Sequence, residues 1–354
     1  MWNQQLYDDA VTLLKGLISI PSLSREEQGT AQLIADFLKE RNIPYQQHLN
    51  NIWAKNKHFD PAKPVIVFNS HHDTVKPNPQ YTRDPFSPDV EDGKLFGLGS
   101  NDAGGCLVSL IATFLHFYER SDMAYNIILT ATAEEEISGV NGIESILSQL
   151  PAIDFAIVGE PTQTQLATAE KGLMVLDCTV QGKAGHAARD EGENALYKAL
   201  PDIEWFRTYR FPKVSDTLGP VKMSVTVINT SNKAHNVVPA DCSFVVDVRV
   251  TEQYTLEEVL DIIRANVKCE VKPRSLRMRP SGIPIDHPFV QGGLRHGKTT
   301  YGSPTTSDQA LIPATSIKMG PGDSARSHTA DEYIYLDEIR QGIDSYIKLL
   351  EEIL

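Results

Sequence analysis

Three short apolar segments constrain the fold of this chain more than any other feature. They span residues 64–70 (PVIVFNS), 125–132 (YNIILTAT) and 154–161 (DFAIVGEP). The first has the β-branched, continuously apolar composition of a strand that is buried on both faces of a parallel sheet. A helical pattern over residues 103–118 lies between the first two segments, and strands that alternate with helices indicate an α/β fold. The sequence therefore predicts a doubly wound, mostly parallel sheet.

Apolar residues at helical spacing also predict two N-terminal helices. The first carries Leu13 and Leu17 on its apolar face and stops before Pro21. The second follows Ser24 and Glu27, which have the spacing of a capping box.

The pattern of elements changes after residue 172. The predicted elements are strands at 173–182, 221–229, 242–250 and 269–279 and helices at 193–210 and 256–267. Their order, βαββαβ, is that of a ferredoxin-like module. The ends of such a module lie close together, so it can be inserted into another domain. We therefore predict a catalytic domain from residues 1–172 and 282–354, and an inserted domain from residues 173–281.

Charge and cysteine usage exclude several classes of protein. The chain has 46 acidic and 33 basic residues and a formal net charge of −13, which disfavours nucleic acid or an anionic membrane as a partner. Its four cysteines lack CxxC spacing, so neither a disulfide framework nor a thiolate zinc site is predicted. No apolar run approaches the roughly 18 residues of a membrane helix, and the N-terminus lacks signal-peptide features. We expect a cytoplasmic protein.

Candidate metal ligands follow the first predicted strand. Because side chains alternate along an extended chain, His71 and Asp73 share one face while His72 points away. His71 is then a ligand candidate, and Asp73 can hold one imidazole nitrogen so that the other meets a metal. Taken alone, this pair also fits an ordinary solvated strand end.

Further candidate ligands lie where other strands and loops end. They are Asp102 at a helix start, Glu135 and Glu136 after the second strand, Glu160 after the third strand, and His328 in a later loop. In open α/β sheets, ligands bind beyond the carboxyl ends of the strands. Imidazole and carboxylate groups suit Zn²⁺, Co²⁺ or Mn²⁺. Two histidines with several carboxylates predict two metal ions that share a bridging carboxylate.

Neighbouring glutamates can take different roles at such a site. Side chains diverge past a strand end, so one of Glu135 and Glu136 can bind metal while the other takes a proton from water and passes it to a leaving amine. The alternative is a solvated helix start, where carboxylates favour the helix dipole. A non-catalytic amino-acid-binding protein, the alternative of a different class, would have no reason to keep such a glutamate unligated.

Several motifs together resemble the di-zinc deacylase and carboxypeptidase family. They are HHDTV, RDPF, GLGSND, EEE after TAT, VGEPT, EKG, GKAGHAA and a late histidine before DEY. The resemblance covers nearly the whole chain and is closest to acetylornithine deacetylases and succinyl-diaminopimelate desuccinylases. It implies hydrolysis of the amide bond of an N-acyl amino acid, with N-acetylornithine of arginine biosynthesis as the favoured substrate.

Other substrates fit the same resemblance. They are succinyl-diaminopimelate, succinyl-ornithine, succinyl-citrulline, N-acetylcitrulline and N-acetyl-lysine. A di-zinc exopeptidase would use the same metals, and acyl-chain discrimination depends on pocket contacts that a linear sequence does not show.

The resemblance also implies how the ligands are shared. His71 and Glu160 would bind one ion, Glu136 and His328 the other, and Asp102 would bridge them. Zinc is expected, with cobalt or manganese as alternatives.

Catalytic and substrate-binding roles follow from the same resemblance. Glu135 would be the general base and acid. His186 matches the family histidine that reaches the partner subunit's site in a homodimer, where it would stabilise the oxyanion. Asn236 would hold a substrate oxygen, Arg249 a substrate carboxylate through two parallel hydrogen bonds, and the polar loop with Ser307 would meet the substrate backbone. Without the family, His186 fits an ordinary loop histidine, Asn236 fits turn chemistry and Arg249 fits an edge-strand charge.

Two positions depart from the family pattern. Relatives often have a lysine at the position of Gly104 and a glycine at the position of Ser70. We therefore expect a more open start of the helix that follows Asp102. The resemblance also implies a cis peptide bond after Asp102.

Overall fold

A computed structural model describes residues 3–354 and divides the chain into two compact units. The main unit runs up to Ala169 and includes Gly282–Tyr301 and Ser307–Leu354. The inserted unit comprises Glu170–Ser281 and Gly302–Thr306. The inserted unit thus begins three residues before the predicted boundary, and it takes in a short segment that the sequence had placed in the catalytic domain.

The regular elements are labelled in chain order. The helices are α1 (Gln4–Ile18), α2 (Gln28–Glu40), α3 (Gly105–Phe117), α4 (Ala195–Thr208), α5 (Leu256–Asn266), α6 (Pro288–Arg295) and α7 (Leu336–Leu350). The strands are β1 (Tyr45–His48), β2 (Asn51–Lys55), β3 (Val65–His71), β4 (Val90–Glu91), β5 (Lys94–Phe96), β6 (Asn126–Thr132), β7 (Phe155–Val158), β8 (Leu166–Glu170), β9 (Gly172–Gln181), β10 (Lys222–Asn229), β11 (Asp241–Val250), β12 (Glu270–Pro273), β13 (Ser281–Gly282), β14 (Thr300–Ser303), β15 (Thr315–Lys318) and β16 (Tyr333–Tyr335). Across residues 3–354, none of the helices combines the length and the apolarity that a bilayer crossing requires.

A nine-stranded sheet forms the centre of the main unit. Its order is β1-β2-β6-β3-β7-β15-β8-β13, and β14 pairs with β8. The central strands β6, β3, β7 and β15 run parallel, whereas β2 and β8 flank them in antiparallel orientation. The predicted α/β fold with a mainly parallel central sheet is confirmed.

Alternating side chains of the parallel strands supply two apolar cores. Ile66 and Phe68 of β3 pack in one core with α1, α2, α3 and α7. Val65 and Val67 belong to a second core with short 3₁₀ turns around Ile143. Because both faces of the sheet are covered, the strand shows no alternation of apolar and polar residues. Burial on both faces explains why this segment was readable from sequence as a buried parallel strand.

The inserted unit contains a separate four-stranded antiparallel sheet. Its order is β10-β11-β9-β12. Every second residue of β9 and β11 is buried, and these residues share a core with α4 and α5. Helix α5 begins at a complete capping box formed by Thr255 and Glu258. The predicted ferredoxin-like βαββαβ module is confirmed.

Two local predictions are wrong, and one pair of strands was not predicted. The capping box before α2 does not form, because Glu27 makes no side-chain capping bond and the Ser24 hydroxyl donates instead to Asp73 Oδ2. The strand predicted at 269–279 covers only Glu270–Pro273. The antiparallel pair β1 and β2 was not predicted, because β1 is an edge strand whose residues are mostly exposed and carry no apolar pattern.

Candidate metal centre

The carboxyl ends of four parallel strands bring the candidate ligands to one edge of the main sheet. Strands β6, β3, β7 and β15 are neighbours and point in the same direction. The candidates that end these strands or follow them in the chain are His71, Glu135, Glu136, Glu160 and His328. Asp102 joins them from the turn Ser100–Gly104, directly before α3. The peptide bond between Asp102 and Ala103 is cis.

His71 lies at the centre of this group and is 1% exposed. Its Nδ1 is 3.0 Å from the main-chain oxygen of Asp73, which fixes the ring. Its Nε2 lies 3.4 Å from Asp102 Oδ1 and 3.8 Å from a carboxylate oxygen of both Glu135 and Glu160. This buried nitrogen has no hydrogen-bond partner within residues 3–354. It is therefore a buried imidazole nitrogen that faces three carboxylates.

His72 occupies a different environment, as the alternation of side chains predicts. Its Nδ1 lies 2.9 Å from the Thr30 hydroxyl, and its Nε2 lies 2.9 Å from the Asn50 main-chain oxygen. Burial lowers the pKa of His72 to about 4. The ring is thus a neutral, hydrogen-bonded part of the interior.

His328 and Asp102 complete the group. His328 Nε2 lies 3.0 Å from Glu136 Oε2 and 3.6 Å from Asp102 Oδ2, and its side chain is 54% exposed. Asp102 therefore directs Oδ1 towards His71 and Oδ2 towards His328. Such an arrangement suits a carboxylate that bridges two ions.

Two sets of side chains offer ligand atoms that are close enough to hold a metal ion. One set is His71, Asp102 and Glu136, and the other is His71, Glu135 and Glu160; within each set the atoms lie within 4.8 Å of one another. Imidazole nitrogen and carboxylate oxygen are donors that Zn²⁺, Co²⁺ and Mn²⁺ accept. Such an ion would satisfy the unpartnered Nε2 of His71. The residues at this edge therefore fit divalent metal binding.

Asp73 fixes the backbone that carries the two glutamates. It is fully buried, and its Oδ1 and Oδ2 accept the N–H groups of Glu135 and Glu136 at 3.1 and 3.2 Å. The Ser24 hydroxyl donates to the same Oδ2 at 2.7 Å. The sequence predicted only that Asp73 orients His71. The structure adds that it positions the turn after β6.

Glu134, the first of the three glutamates, is held apart from the ligand group. Its φ of 55° is left-handed, which is costly for a residue other than glycine. Its carboxylate accepts Asn141 Nδ2 at 2.9 Å, and its main-chain N–H donates to the buried Glu27 carboxylate at 3.3 Å. These contacts stabilise the turn that aims Glu135 and Glu136 differently from Glu134.

The pKa values of two acids at this edge shift in opposite directions. Burial raises the pKa of Glu135 well above the usual range, and the charges of Glu160 and Glu136 act in the same direction while His71 opposes them. Burial alone would also raise the pKa of Asp102, but the neighbouring His71 holds that pKa below the usual value. A bound cation favours the ionised form of nearby carboxylates. Divalent ions would therefore stabilise this concentration of acids.

His186 and Asn236 lie on adjacent segments of the inserted unit. His186 forms a β-bridge with Val237, and Ala187 N–H donates to the Asn236 main-chain oxygen at 2.9 Å. His186 and Asn236 are both exposed. The N–H of Ala188 donates to His186 Nδ1 at 3.1 Å, so a neutral His186 ring carries its proton on Nε2. The structure thus brings the GKAGHAA and HNVVP motifs together.

Arg249 is already paired within the inserted unit. Its Nε and Nη2 donate to the two carboxylate oxygens of Asp247 at 2.9 and 3.0 Å. Its Nη1 donates to the Thr306 hydroxyl at 3.1 Å. A substrate carboxylate at this residue would therefore meet a guanidinium group whose fork faces Asp247.

Ser307, which was predicted to lie on a polar loop that meets the substrate backbone, is buried. It is 1% exposed, and its hydroxyl accepts the Gln309 N–H at 3.3 Å, where it caps a 3₁₀ turn. The neighbouring Asp308 is also buried and accepts Asn69 Nδ2 at 3.1 Å and the Thr132 hydroxyl at 2.7 Å. These hydrogen bonds draw the segment into the interior of the main unit.

The expectation of a more open start of α3 is wrong. A Cβ atom at Gly104 would lie 2.5 Å from the main-chain oxygen of Gly99 and 2.6 Å from Leu14 Cδ1. The position is therefore tightly packed, and a lysine there would require the turn before α3 to move. Ser70, the second departure, donates its hydroxyl to the Gly159 main-chain oxygen at 2.8 Å.

Three residues at this edge were not assigned from the sequence. Ser24 and Glu27 were read as a local helix cap, although their partners lie at the strand ends. Glu332 was noted only as part of the DEY motif, yet its carboxylate accepts N–H groups of the loop that carries Asp102. The position of DEY soon after His328 was the one available signal.

The sequence model of peptidase family M20/M25/M40 matches residues 67–352 of this chain. The chain belongs to this family. The resemblance that the motifs indicated is therefore confirmed, and so is the prediction of a hydrolytic enzyme. Together with the two sets of ligand atoms, membership of the M20/M25/M40 family indicates that the enzyme uses divalent metal ions.

Curated relatives match this M20-family chain along their full length. The succinyl-diaminopimelate desuccinylase of Psychromonas ingrahamii is 26% identical over 376 residues, which cover 97% of this chain and 98% of the relative. The enzyme of the same name from Acidiphilium cryptum is 28% identical over 372 residues and covers 98% of each chain.

Solved structures show the same fold. The aminopeptidase PepT of Bacillus cereus superposes with a TM-score of 0.79 at 14% identity and covers 98% of both chains. The Bacillus subtilis YXEP protein, a dinuclear metal-binding peptidase of the M20 family, superposes with a TM-score of 0.74 at 16% identity over 98% of both chains. These likenesses confirm the M20-type architecture.

Proposed function

We propose that this enzyme hydrolyses the amide bond of an N-acyl amino acid with two divalent ions bound at the edge of the main sheet. The observation that carries the proposal is the buried Nε2 of His71, which faces Asp102, Glu135 and Glu160 and has no hydrogen-bond partner within residues 3–354. The names of the full-length relatives support an acyl amino acid as the substrate class.

The proposed ligands divide between the two ions. His71 and Glu160 would hold one ion, Glu136 and His328 would hold the other, and Asp102 would be shared. Zinc is the favoured metal, and the same donors accept cobalt or manganese. When bound, such ions polarise the acyl carbonyl and lower the pKa of water towards about 7.

Glu135 is the residue that we propose moves the proton. Distance alone does not separate it from Glu160, because both have an oxygen 3.8 Å from His71 Nε2. Glu136 is engaged with His328 at 3.0 Å, so Glu135 is the adjacent carboxylate that can serve the attacking water. It would take a proton from that water and deliver it to the nitrogen of the leaving amine. The hydrogen bond from its N–H to Asp73 holds it in position for both transfers.

Three residues of the inserted unit are proposed to bind the substrate. His186 would reach the partner subunit's site and donate from Nε2 to the oxyanion of the tetrahedral intermediate, and Asn236 would donate to a substrate oxygen. Arg249 would hold a carboxylate of the amino acid, either by exchanging Asp247 for it or through Nη1. The exposure of His186 and Asn236 is what supports their role.

We propose that the enzyme is a homodimer formed through the inserted unit. Strand β10 is the edge of the inserted sheet, and Val227 and Ile228 on it are 44% and 51% exposed. The adjacent helix α4 exposes Tyr197 and Leu200 at 71% and 54%. An exposed apolar edge strand is a template for pairing with another chain, and a second copy would cover the strand and the helix together.

Charge on this edge is expected to separate the subunits. A V227K/I228K double variant places two lysines on β10, and edge lysines block strand pairing. Light scattering should show a monomer at concentrations where the wild type is a dimer. The matched control is Ile285→Lys, which charges an equally exposed apolar residue (54%) of the main unit and should stay dimeric. A double variant that remains dimeric would contradict the proposed interface.

A cytoplasmic location is proposed on the state of the cysteines. All four are free and buried. Unpaired thiols are typical of proteins in reducing compartments.

For the acyl group and the amino acid, the proposal has two ranked candidates. The motif resemblance favours N-acetylornithine and hence arginine biosynthesis, whereas the relatives at 26% and 28% identity are succinyl-diaminopimelate desuccinylases. A single extra or missing methylene group in an apolar pocket changes substrate preference by a factor of about 10 to 200. We propose deacetylation of N-acetylornithine first, and desuccinylation as the second candidate because of those relatives.

A substrate panel tests this proposal. The zinc-loaded enzyme should be assayed with acetylated and succinylated ornithine, citrulline, lysine and diaminopimelate, and with a dipeptide of the preferred amino acid. We expect one acylated amino acid to give the highest kcat/KM. A higher kcat/KM for the dipeptide would identify an exopeptidase instead. No turnover of any compound by protein that contains both ions would exclude the proposed activity.

A further inference from the structure

Glu332 is a buried carboxylate that no step of the proposed mechanism uses. It directly precedes β16, which pairs with β5, and it is 2% exposed. Its Oε1 accepts the N–H groups of Asn101 and Asp102 at 2.8 and 2.9 Å, and its Oε2 accepts that of Gly99 at 3.1 Å. Both oxygens are therefore committed to one short loop.

This loop is the one that presents Asp102 to the two histidines. Its backbone turns through Gly99, whose φ is 76°, and a Cβ atom there would lie 2.6 Å from Thr74 Cγ2. Asp102 reaches 3.4 Å from His71 with one oxygen and 3.6 Å from His328 with the other. A small rotation of the loop would lengthen at least one of these distances.

Asp331, the residue before Glu332, is hydrogen-bonded to the beginning of the segment that leads to Asp102. Asp331 accepts the N–H groups of Thr82 and Arg83 at 2.9 and 3.0 Å and the Thr82 hydroxyl at 2.6 Å. Asp331 therefore holds the beginning of the segment that runs from the RDPF motif to Asp102, and Glu332 holds its end. The segment had no assigned chemistry in the sequence beyond its likeness to the family.

The number of donors makes a carboxylate necessary at position 332. Three main-chain N–H groups donate to its two oxygens. They offset part of the cost of burying the group, although burial and the charge of Asp102 still raise the pKa of Glu332 to about 8. Glutamine keeps only one acceptor oxygen, so its NH₂ group would face the Gly99 N–H or the pair from Asn101 and Asp102. Aspartate keeps the charge but is one carbon shorter.

We propose that Glu332 is a positioning residue that fixes Asp102 so that its two oxygens face both metal sites. This inference rests on the proposed two-metal function. It predicts that loss of Glu332 weakens metal binding although Glu332 binds no metal itself. Removal of residues that orient metal ligands typically costs about 10- to 100-fold in metal affinity.

The test compares Glu332→Gln with a matched buried carboxylate elsewhere. Asp202 of the inserted unit is 5% exposed and accepts the main-chain N–H groups of Lys268 and Cys269 at 3.0 and 2.8 Å. Asp202→Asn therefore controls for loss of a loop-holding acid far from the proposed ligands in sequence. Zn²⁺ is titrated into each metal-free protein against a competing chelator, and the visible spectrum of each Co²⁺-loaded protein is recorded.

We expect Glu332→Gln to bind Zn²⁺ about 10- to 100-fold more weakly and to change the Co²⁺ spectrum, which reports ligand geometry. Asp202→Asn should bind Zn²⁺ as the wild type does, even if its melting temperature falls as far. Wild-type Zn²⁺ affinity and an unchanged Co²⁺ spectrum in Glu332→Gln would overturn the inference. An equal loss of affinity in Asp202→Asn would also overturn it, because the effect would then be general destabilisation.

If the Glu332→Gln protein fails to fold, a second variant and a second measurement can still test the inference. Glu332→Asp should show the same weakening, since its shorter side chain cannot reach all three N–H groups. If neither variant folds, hydrogen exchange of the metal-free wild type decides: the amides of Gly99, Asn101 and Asp102 should exchange as slowly as those of α3, and fast exchange would overturn the inference. A wild type that binds no Zn²⁺ would instead refute the proposed function itself.

Discussion

The Glu135→Gln enzyme is expected to bind both ions and to lose kcat by about 10²- to 10⁴-fold, the range that general acid–base catalysis contributes. Glutamine keeps the size of the side chain, and the N–H of residue 135 can still donate to Asp73 Oδ1. The variant loses only the ability to accept a proton from water and to pass it to the leaving amine. The measurements are metal content per chain and kcat with the best acyl amino acid of the substrate panel.

The Glu135→Asp variant is the matched control for this result. It keeps a carboxylate that can carry a proton, although one carbon further from the water, so part of the lost turnover should return. Full metal content with near-wild-type kcat in Glu135→Gln would contradict the proton-transfer role. Loss of one ion in Glu135→Gln would show that Glu135 is a ligand, which its 3.8 Å distance from His71 Nε2 also permits.

The Asp102→Ala enzyme is expected to lose affinity for both ions together and to fall below detectable turnover. The two carboxylate oxygens of Asp102 lie 3.4 Å from His71 and 3.6 Å from His328. One substitution therefore removes a ligand from both proposed sites. The loss of affinity should exceed the roughly 100-fold that even an orienting residue can cost. Zinc titration of the metal-free variant, with activity measured at each step, gives both quantities.

Asp308→Asn is the control for Asp102→Ala. Asp308 is a buried acid (3% exposed) at the same sheet edge, and asparagine can still accept from Asn69 and Thr132 through its single oxygen. It belongs to neither set of possible ligands within residues 3–354, so both ions should stay bound. An Asp102→Ala protein that binds one ion with unchanged affinity would show that Asp102 is not shared.

The buried strands were predictable because their burial has a local signature. The strand predicted at 64–70 is observed at Val65–His71, and that predicted at 125–132 at Asn126–Thr132. Strands covered on both faces are continuously apolar, and their shared direction brings their following residues to one edge. Strand β1 has no such signature, since three of its four residues are exposed.

The contacts that hold the site were not predictable, because they join distant parts of the chain. Ser24 and Asp73 are 49 residues apart, Glu27 and Glu134 are 107 apart, and Glu332 and Asn101 are 231 apart. Ser24 and Glu27 match a capping box at short range, and tertiary hydrogen bonds at the strand ends override that local preference. Whether the local cap or the tertiary hydrogen bonds form depends on which segments the fold brings together.

Packing also explains why the sequence-based expectations for two positions were wrong. Gly104 looked like the removal of a lysine that would leave space, yet the backbone of Gly99 and the side chain of Leu14 fill that space. Ser307 looked like a polar loop residue, yet it is 1% exposed. Both errors arise because residue type gives polarity and size, whereas burial depends on which segments pack together.

Zinc titration of the metal-free wild-type protein, followed together with amide hydrolysis, tests the central claim most directly. We expect each chain to bind two zinc ions and hydrolysis of an N-acyl amino acid to reach its plateau only when both are bound. Binding that stops at one ion per chain with full activity would contradict the two-metal site. Undiminished hydrolysis after exhaustive metal removal, or no hydrolysis with both ions bound, would contradict the proposed function.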